Sequence, residues 1–476
     1  MKRRHLTLLF LSLCVFITSA IAQNATAPKR LFRAGAATSN ITPPLGTSIN
    51  GNMRDVTATH VHDELHARCL ALDDGTTKLV LVVCDSCMIP REVFDAAKKI
   101  VNEATGLPLE NMMMSATHTH SAPTSGSVFQ SNADPEYQVF LARRIADGIR
   151  RALNNLQPAR IGWASAEEPD QVFNRRWFVK NEALYKNPFG GVDKVKMNPP
   201  RASKDLIEPS GPIDPTVSVI SLVSTNGKPI ALYANYSLHY VGGTGGGHIS
   251  ADYYGAFCER VKKLVTANNP SPDFVALLSN GASGNINNVN FQAPAPKRAP
   301  YEQINIVADE VAQAALSAVE KIQYQDWVPL GVKQTEITLG VRRPNADEVT
   351  RAKEIMSRAR NFPRMDTLEE IYARETVQMA DYPAEVKAIL QAMRLGDLGI
   401  TAIPCEVFVE IGLELREKSP AKQTFTVSLA NGYNGYLPTV KHHELGGYET
   451  WRAKSSYLEL QAAPKMVDTL LQLLKP

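Results

Sequence analysis

Short apolar runs alternate with longer amphipathic stretches along nearly the whole chain, and that alternation restricts the fold more than any other feature. Runs of strand length occur at Leu65–Leu72, Lys78–Val83, Met112–Thr117, Val217–Val223, Pro229–Tyr236, Phe274–Leu278, Leu398–Ile403 and Thr424–Ala430. Helical periodicity marks Val93–Glu103, Tyr137–Asn154, Asp252–Thr266, Tyr301–Lys321, Asp347–Arg360 and Ser455–Leu474. Strands interleaved with helices of this length predict an α/β fold, a layered β-sheet domain with flanking helices. Asp73-Asp74-Gly75 joins Glu64–Leu72 to Lys78–Val83 as a hairpin, so the sheet is expected to be mixed rather than purely parallel. With 476 residues, 44% hydrophobic and 21% charged, the chain has ample core for one large domain or two. Phe173–Pro215, rich in Asn, Lys, Pro and Gly, is expected to form a long loop of the kind that covers a site.

The first residues have the form of an export signal rather than of folded structure. Lys2-Arg3-Arg4 precedes an uncharged apolar run from Leu6 to Ile21, and small residues stand before Gln23. Residues 1–22 are therefore expected to be a secretory signal peptide cleaved near Ala22, and residues 31–476 a single domain. The apolar run falls short of the roughly 20 residues that span a bilayer, and no later stretch is long and apolar enough. The expected product is secreted or periplasmic, without a transmembrane segment after signal removal. Of the 51 basic residues three lie in this leader, so 48 remain against 48 acidic ones. No run of Lys and Arg stands out, which argues against nucleic acid as a partner. Cys69, Cys84, Cys87, Cys258 and Cys405 are an odd, sparse set and not a disulfide framework. Cys84 and Cys87 have CxxC spacing but no second pair, and Cys84 is expected to pack at a strand end.

Chemistry-bearing residues gather where the strands end. Ser115-Ala116-Thr117-His118-Thr119-His120-Ser121-Ala122-Pro123 follows the run Met112–Met114. Two imidazoles separated by one residue at a strand end point to one side of the backbone, which brings two nitrogen ligands, or one ligand and one acid/base, to a single point. Asn235-Tyr236-Ser237-Leu238-His239 closes another strand and leads into the glycine-rich stretch Gly242–Gly247. Asn280-Gly281-Ala282-Ser283-Gly284-Asn285 places Ser283 in a tight turn, Pro404-Cys405-Glu406 puts a carboxylate at a strand-to-helix junction, and Asn431–Tyr436 follows a further strand. Open α/β sheets build their sites at such ends. Singly, each has a plain structural role: His239 a satisfied histidine, Glu406 a first-turn acid, Ser283 a helix cap, Tyr436 and Tyr448 packing residues. Together, imidazoles, a carboxylate and an oxygen donor suit Zn²⁺.

On these motifs the chain resembles the neutral (non-lysosomal) ceramidases, in their catalytic N-terminal domain. The resemblance runs from Arg33–Pro44, with its Thr42-Pro43 turn, through the His118-x-His120 motif, Asn174-Arg175, His239 with Ile249–Asp252, and Pro404-Cys405-Glu406, to Tyr436 and Tyr448, twelve residues apart. It implies a zinc amidohydrolase with His118, His239, Glu406 and Tyr436 as metal ligands. It implies His120, Arg175 and Tyr448 around the scissile amide, with zinc-activated water cleaving an N-acyl lipid such as ceramide or a related N-acyl compound. Around Ser283 the family shows Gly-Asp-x-Ser-Pro-Asn, and here neither the acidic residue nor the Pro is present. Ser283 stays among the catalytic candidates, with activated water the favoured nucleophile. The chain ends about 30 residues after Tyr448, so the β-sandwich domain that follows the catalytic domain in ceramidases is expected to be missing. Gly242–Gly247 replaces a more polar connection, and a different pocket mouth is expected. The expected partners are a small-molecule or lipid amide and, peripherally, a membrane surface. Two alternatives stand beside this reading: the same metal site acting on a sugar or small-molecule conjugate, and a non-catalytic binding protein with a degenerate site.

Overall fold

Two β-sheets packed face to face, each covered by helices on its outer side, make up the computed structural model, which describes residues 30–475. The proposed leader, residues 1–22, lies outside the described residues. The larger sheet uses β1 (Arg33–Asn40), β2 (His66–Asp73), β3 (Lys78–Cys84), β4 (Met112–Ala116), β5 (Gln157–Glu167), β6 (Thr216–Ser224), β7 (Pro229–Tyr236) and β8 (Val275–Asn280). Their spatial order is β8-β7-β6-β5-β1-β2-β3-β4. Only β3–β4 and β7–β8 pair in parallel, so the sheet is mixed, and the expected hairpin joins β2 to β3. The smaller sheet has the order of the chain: β9 (Leu330–Gly340), β10 (Glu385–Leu395), β11 (Leu398–Ala402) and β12 (Gln423–Val427).

Strand alternation builds the layers. In β3, Val80 and Val82 join the core under the helices, whereas Leu79, Leu81 and Val83 join the core between the sheets. Both faces are buried, which is why β3 reads as a continuous apolar run rather than an alternating one. Helices α1 (Arg91–Thr105) and α2 (Pro135–Asn154) cover the β1–β4 half, and α3 (Asp252–Val265) and α4 (Glu302–Val319) cover the β6–β8 half. Two short helices, α5 (Ala346–Ser357) and α6 (Leu368–Met379), each open on a capping box, from Asn345 and Thr367. Helices α7 (Val409–Lys418) and α8 (Ala462–Leu473) lie on the smaller sheet. Among the described residues no helix is long and apolar enough to cross a membrane.

Several sequence expectations shift. The strand expected over Met112–Thr117 ends at Ala116, and the one expected over Thr424–Ala430 ends at Val427, before Leu429 takes a positive φ of 55°. The helix expected from Ser455 begins only at Ala462, because Ser455 and Ser456 pair in extended form against Gly435 and Tyr436. The expected loop Phe173–Pro215 contains a small three-stranded sheet of Arg176–Val179, Lys196–Met197 and Leu206–Pro209. The five cysteines among the described residues are free and buried, with Cys84 at the end of β3.

Candidate metal centre

His118 leaves the end of β4 in a conformation that L-residues seldom adopt, with φ at 81°. Its backbone N–H donates to the Ser86 carbonyl, 2.8 Å away, and the neighbouring Thr117 N–H to Cys84, so the loop after β3 holds the turn in place. The two imidazoles of the His-x-His motif therefore do not converge through strand alternation. They converge because the chain turns between them: His118 Nε2 and His120 Nε2 are 3.2 Å apart. His239, from the end of β7, brings its Nε2 to 3.0 Å from that of His118.

The far side of each ring fixes which nitrogen is free. His118 Nδ1 donates to the Cys87 carbonyl at 2.7 Å, and His239 Nδ1 donates to the Ser283 carbonyl at 3.1 Å. Nε2 is therefore the nitrogen that each ring turns inward, a ligand position once it carries no proton. Glu406 follows β11, and its Oε2 lies 3.3 Å from His118 Nε2 and 3.7 Å from His239 Nε2. That oxygen is buried and accepts no hydrogen bond. Its partner Oε1 accepts one from the Tyr433 hydroxyl at 2.9 Å. A buried carboxylate oxygen that faces two imidazole nitrogens, and whose charge only a proton on His118 answers, is a place for a cation. His118, His239 and Glu406 all present ligand atoms within 4.8 Å of one another. This donor set of two nitrogens and one oxygen fits Zn²⁺.

Charge in the pocket agrees with this. Burial, with the nearby charges of Arg175 and His118, holds His239 well below the usual imidazole range, so it stays neutral. Burial, His118 and Arg175 do the same to His120. His118 goes the other way: burial opposes its charge, but the Glu406 carboxylate outweighs burial and lifts it well above that range. Burial would raise Glu406, yet His118 and the hydroxyls of Tyr436 and Tyr433 keep it low and ionised. The gap between His118 and Glu406 thus favours positive charge.

Tyr436 sits beside Glu406 because the two residues pair across a short parallel ladder, Glu406–Val407 against Tyr436–Leu437. The ladder is pressed against the turn after β8, where a Cβ on Gly284 would lie 2.6 Å from the Glu406 carbonyl oxygen. Only glycine permits that approach. Arg175, buried, donates to the Tyr436 hydroxyl at 3.1 Å, to the Gly284 carbonyl at 2.7 Å and to Glu449 Oε1 at 2.9 Å. Tyr448 stands edge-on to Tyr436, with ring centroids 5.8 Å apart. Ser283 is placed behind His239 rather than in front of it: its carbonyl receives the Nδ1 hydrogen, and its hydroxyl donates to Asn280 Oδ1 at 2.7 Å.

Sequence reasoning missed several neighbours. Tyr240 stacks on His120 at 3.6 Å, and Gly51 lies so close to the same imidazole that a Cβ there would sit 2.4 Å from its Cγ. His120 is held between them. Glu449, fully buried, joins Arg175 to Arg176. Tyr240, Tyr433 and Glu449 adjoin or fall within motifs already singled out; Gly51 has no sequence signal. A larger cavity of 680 Å³ between α2 and α3 opens at the starts of β7 and β8, the opposite ends from His239 and Ser283, and holds none of the predicted site residues.

Residues 32–301 match the family described as neutral/alkaline non-lysosomal ceramidase, N-terminal. The neutral ceramidase of Pseudomonas aeruginosa is 26% identical over 317 residues, which is 63% of this chain and 43% of that protein. Neutral ceramidase B of Dictyostelium discoideum is 24% identical over 194 residues, 38% of this chain and 24% of that protein. The chain thus aligns with less than half the length of these relatives. In fold, the crystal structure of the Pseudomonas aeruginosa neutral ceramidase superposes with a TM-score of 0.69 at 19% identity, covering 94% of this chain and 74% of that one. A ceramidase complexed with C2 gives 0.70 at 18% identity.

Proposed function

The chain belongs to the neutral/alkaline non-lysosomal ceramidase family, and from that premise we propose that it is a zinc-dependent hydrolase of N-acyl compounds, ceramide-like lipid amides among them. The observation that carries the reading is the buried, unpartnered Oε2 of Glu406 facing the Nε2 atoms of His118 and His239. Those three residues would hold the metal, with the Tyr436 hydroxyl as the fourth ligand. When bound there, Zn²⁺ supplies Lewis acidity, polarising an amide carbonyl and bringing the ionisation of water down to about pH 7.

The chain's own groups do the rest. His120, neutral and clamped between Tyr240 and Gly51, takes a proton at Nε2 from the attacking water and returns it to the leaving nitrogen. Arg175 and Tyr448 supply donors for the carbonyl oxygen on which charge develops. Ser283 orients His239 through its carbonyl, a role that needs no nucleophile. The Lys2–Ala22 segment supports a second part of the proposal, that the protein is exported to a periplasm or beyond the cell.

The test is metal analysis of the purified protein joined to hydrolysis of a fluorescent N-acylsphingosine, other lipid amides, peptides and glycosides, with and without chelator. One zinc per chain and chelator-sensitive amide cleavage, both lost in His118→Ala, are expected. Failure to bind zinc stoichiometrically, or unchanged activity in His118→Ala, would sink the proposal. N-terminal sequencing of protein recovered outside the cytoplasm, expected to begin at Gln23, tests export.

A further inference from the structure

Behind the metal centre two buried polar atoms face each other, and among the described residues neither makes a hydrogen bond. They are Glu410 Oε1, in the first turn of α7, and His442 Nε2, on the short helix Val440–Leu445, 3.3 Å apart. Their companion atoms are committed elsewhere. Glu410 Oε2 accepts from Asn285 Nδ2 at 2.9 Å, and His442 Nδ1 stands 2.7 Å from the Thr439 hydroxyl. Neither group has room to turn away. A Cβ on Gly211 would lie 2.1 Å from Glu410 Oε1, and the His442 ring packs edge-on against Phe408 at 5.0 Å. Buried polar atoms are seldom left unpaired, and a single proton between these two satisfies both.

The surroundings place that proton on the carboxyl. Burial lifts Glu410 above the usual carboxylate range, with the Asn285 hydrogen bond and Arg176 opposing it but not overturning it. Burial, joined by the charge of Arg176, pushes His442 down to about 3, so its imidazole is neutral. A carboxylic acid donating to a neutral imidazole leaves no charge stranded in the interior.

The residue this pair holds is Asn285, which is fully buried. Its Oδ1 accepts from the Val409 N–H at 2.9 Å, and its backbone carbonyl accepts from the Arg175 N–H at 2.9 Å. Two residues earlier in the same turn, the Ser283 carbonyl orients His239. Between them, the Gly284 carbonyl accepts from the Arg175 side chain, and the Gly284 N–H donates to Val407, next to Glu406, at 2.7 Å. The turn Ser283–Asn285 thus sets His239, Arg175 and Glu406 relative to one another. Asn285 is its side-chain tie to α7.

We propose that Glu410 is a positioning residue of the metal centre: it carries the proton that joins it to His442, and so fixes Asn285 and, through it, Arg175 and Glu406. Only the kinetic consequence rests on the hydrolase reading. Glutamine reproduces the arrangement, because its oxygen accepts from Asn285 and its amide donates to His442. Aspartate keeps the acid but is one methylene too short to reach both partners.

The experiment compares Glu410→Gln, Glu410→Asp and Glu410→Leu in the full chain. Zinc affinity by chelator competition, and kcat and KM for a fluorescent lipid amide, are measured on each. Glu410→Gln should stay within about threefold of wild type in both affinity and kcat. The Asp and Leu variants should lose about tenfold or more in zinc affinity and in kcat, the scale on which outer partners of a metal site act, with KM little changed. A purely structural role would lower the denaturation midpoint and leave zinc affinity and kcat alone. The infrared difference spectrum of metal-free wild type minus Glu410→Gln at neutral pH should show the C=O band of one carboxylic acid. Absence of that band, or Glu410→Asp outperforming Glu410→Gln, overturns the protonated pair. Unchanged zinc affinity and kcat in Glu410→Leu overturn the positioning role, and should that variant fail to fold, Glu410→Asp decides in its place. If wild type cleaves no amide, the hydrolase reading falls, while the infrared and zinc measurements still decide this inference.

Discussion

Replacing Glu449 with Gln tests whether the site is held by a buried charge network. Glu449 is fully buried, and its two oxygens accept from Arg175 Nε at 2.9 Å and Arg176 Nη1 at 2.6 Å. Burial alone would raise this carboxyl, but Arg176 and Arg175 outweigh burial and hold it below the usual range, so it is ionised. Glutamine keeps the shape but removes the charge and turns one acceptor into a donor facing a guanidinium N–H. One charge-assisted bond, about 1.5–3 kcal/mol, is lost outright and the other is weakened. Two buried guanidiniums are also left without a counter-charge, and stranding one partner of a buried pair costs about 3–5 kcal/mol. The two routes overlap, and the expected loss is about 4 kcal/mol. Denaturant titration in chelator, which removes stabilisation by metal, reads it as a lowered midpoint at unchanged slope. Arg175→Met in the Glu449→Gln background should be less costly than the sum of the single changes, with a coupling of about 1.5–3 kcal/mol. A single-variant loss under about 1 kcal/mol, or strict additivity, refutes the reasoning.

Three further outcomes are expected. Ser283→Ala should keep activity within about tenfold, because the His239 ring is oriented by the Ser283 carbonyl, and a loss on the order of a thousandfold would make Ser283 a nucleophile. Gly51→Ala forces a methyl against His120 at a φ of 98° and should lower kcat about a hundredfold while zinc content, read by metal analysis, stays at wild-type level. Lys98, buried on α1 and donating to Asn431 Oδ1, is lowered by burial to about 8. Its ammonium is disfavoured in the fold but not in the unfolded chain, so between about pH 8 and pH 10.5 the unfolded state binds more protons and stability rises with pH. Lys98→Met should remove that rise, and identical pH slopes for the two proteins would contradict it.

The alternation of apolar runs with helical periods was enough to place β2, β3, β6 and β7 within about a residue of their observed ends, and to announce a mixed sheet. β5, β9 and β10 escaped notice because polar residues such as Arg160, Ser165, Gln334 and Arg394 interrupt their apolar pattern. That smaller sheet is also where Glu406 and Tyr436 are launched, so its packing against the larger one was invisible in advance.

What the sequence determined by itself is the inventory: strand ends rich in His, Glu, Tyr and Gly, and the family motifs that order them. Tertiary structure alone decided the convergence. His118 and His120 meet through a backbone turn at positive φ, not through strand alternation. Ser283 falls behind His239, and Glu449 links two arginines that the sequence presents as ordinary neighbours. The physical reason is that periodicity reports which face of an element is buried. Which strand end meets which is set by the stacking of two sheets and by backbone hydrogen bonds between residues far apart in the chain, such as His118 N–H to Ser86 and Glu406 N–H to Gly435.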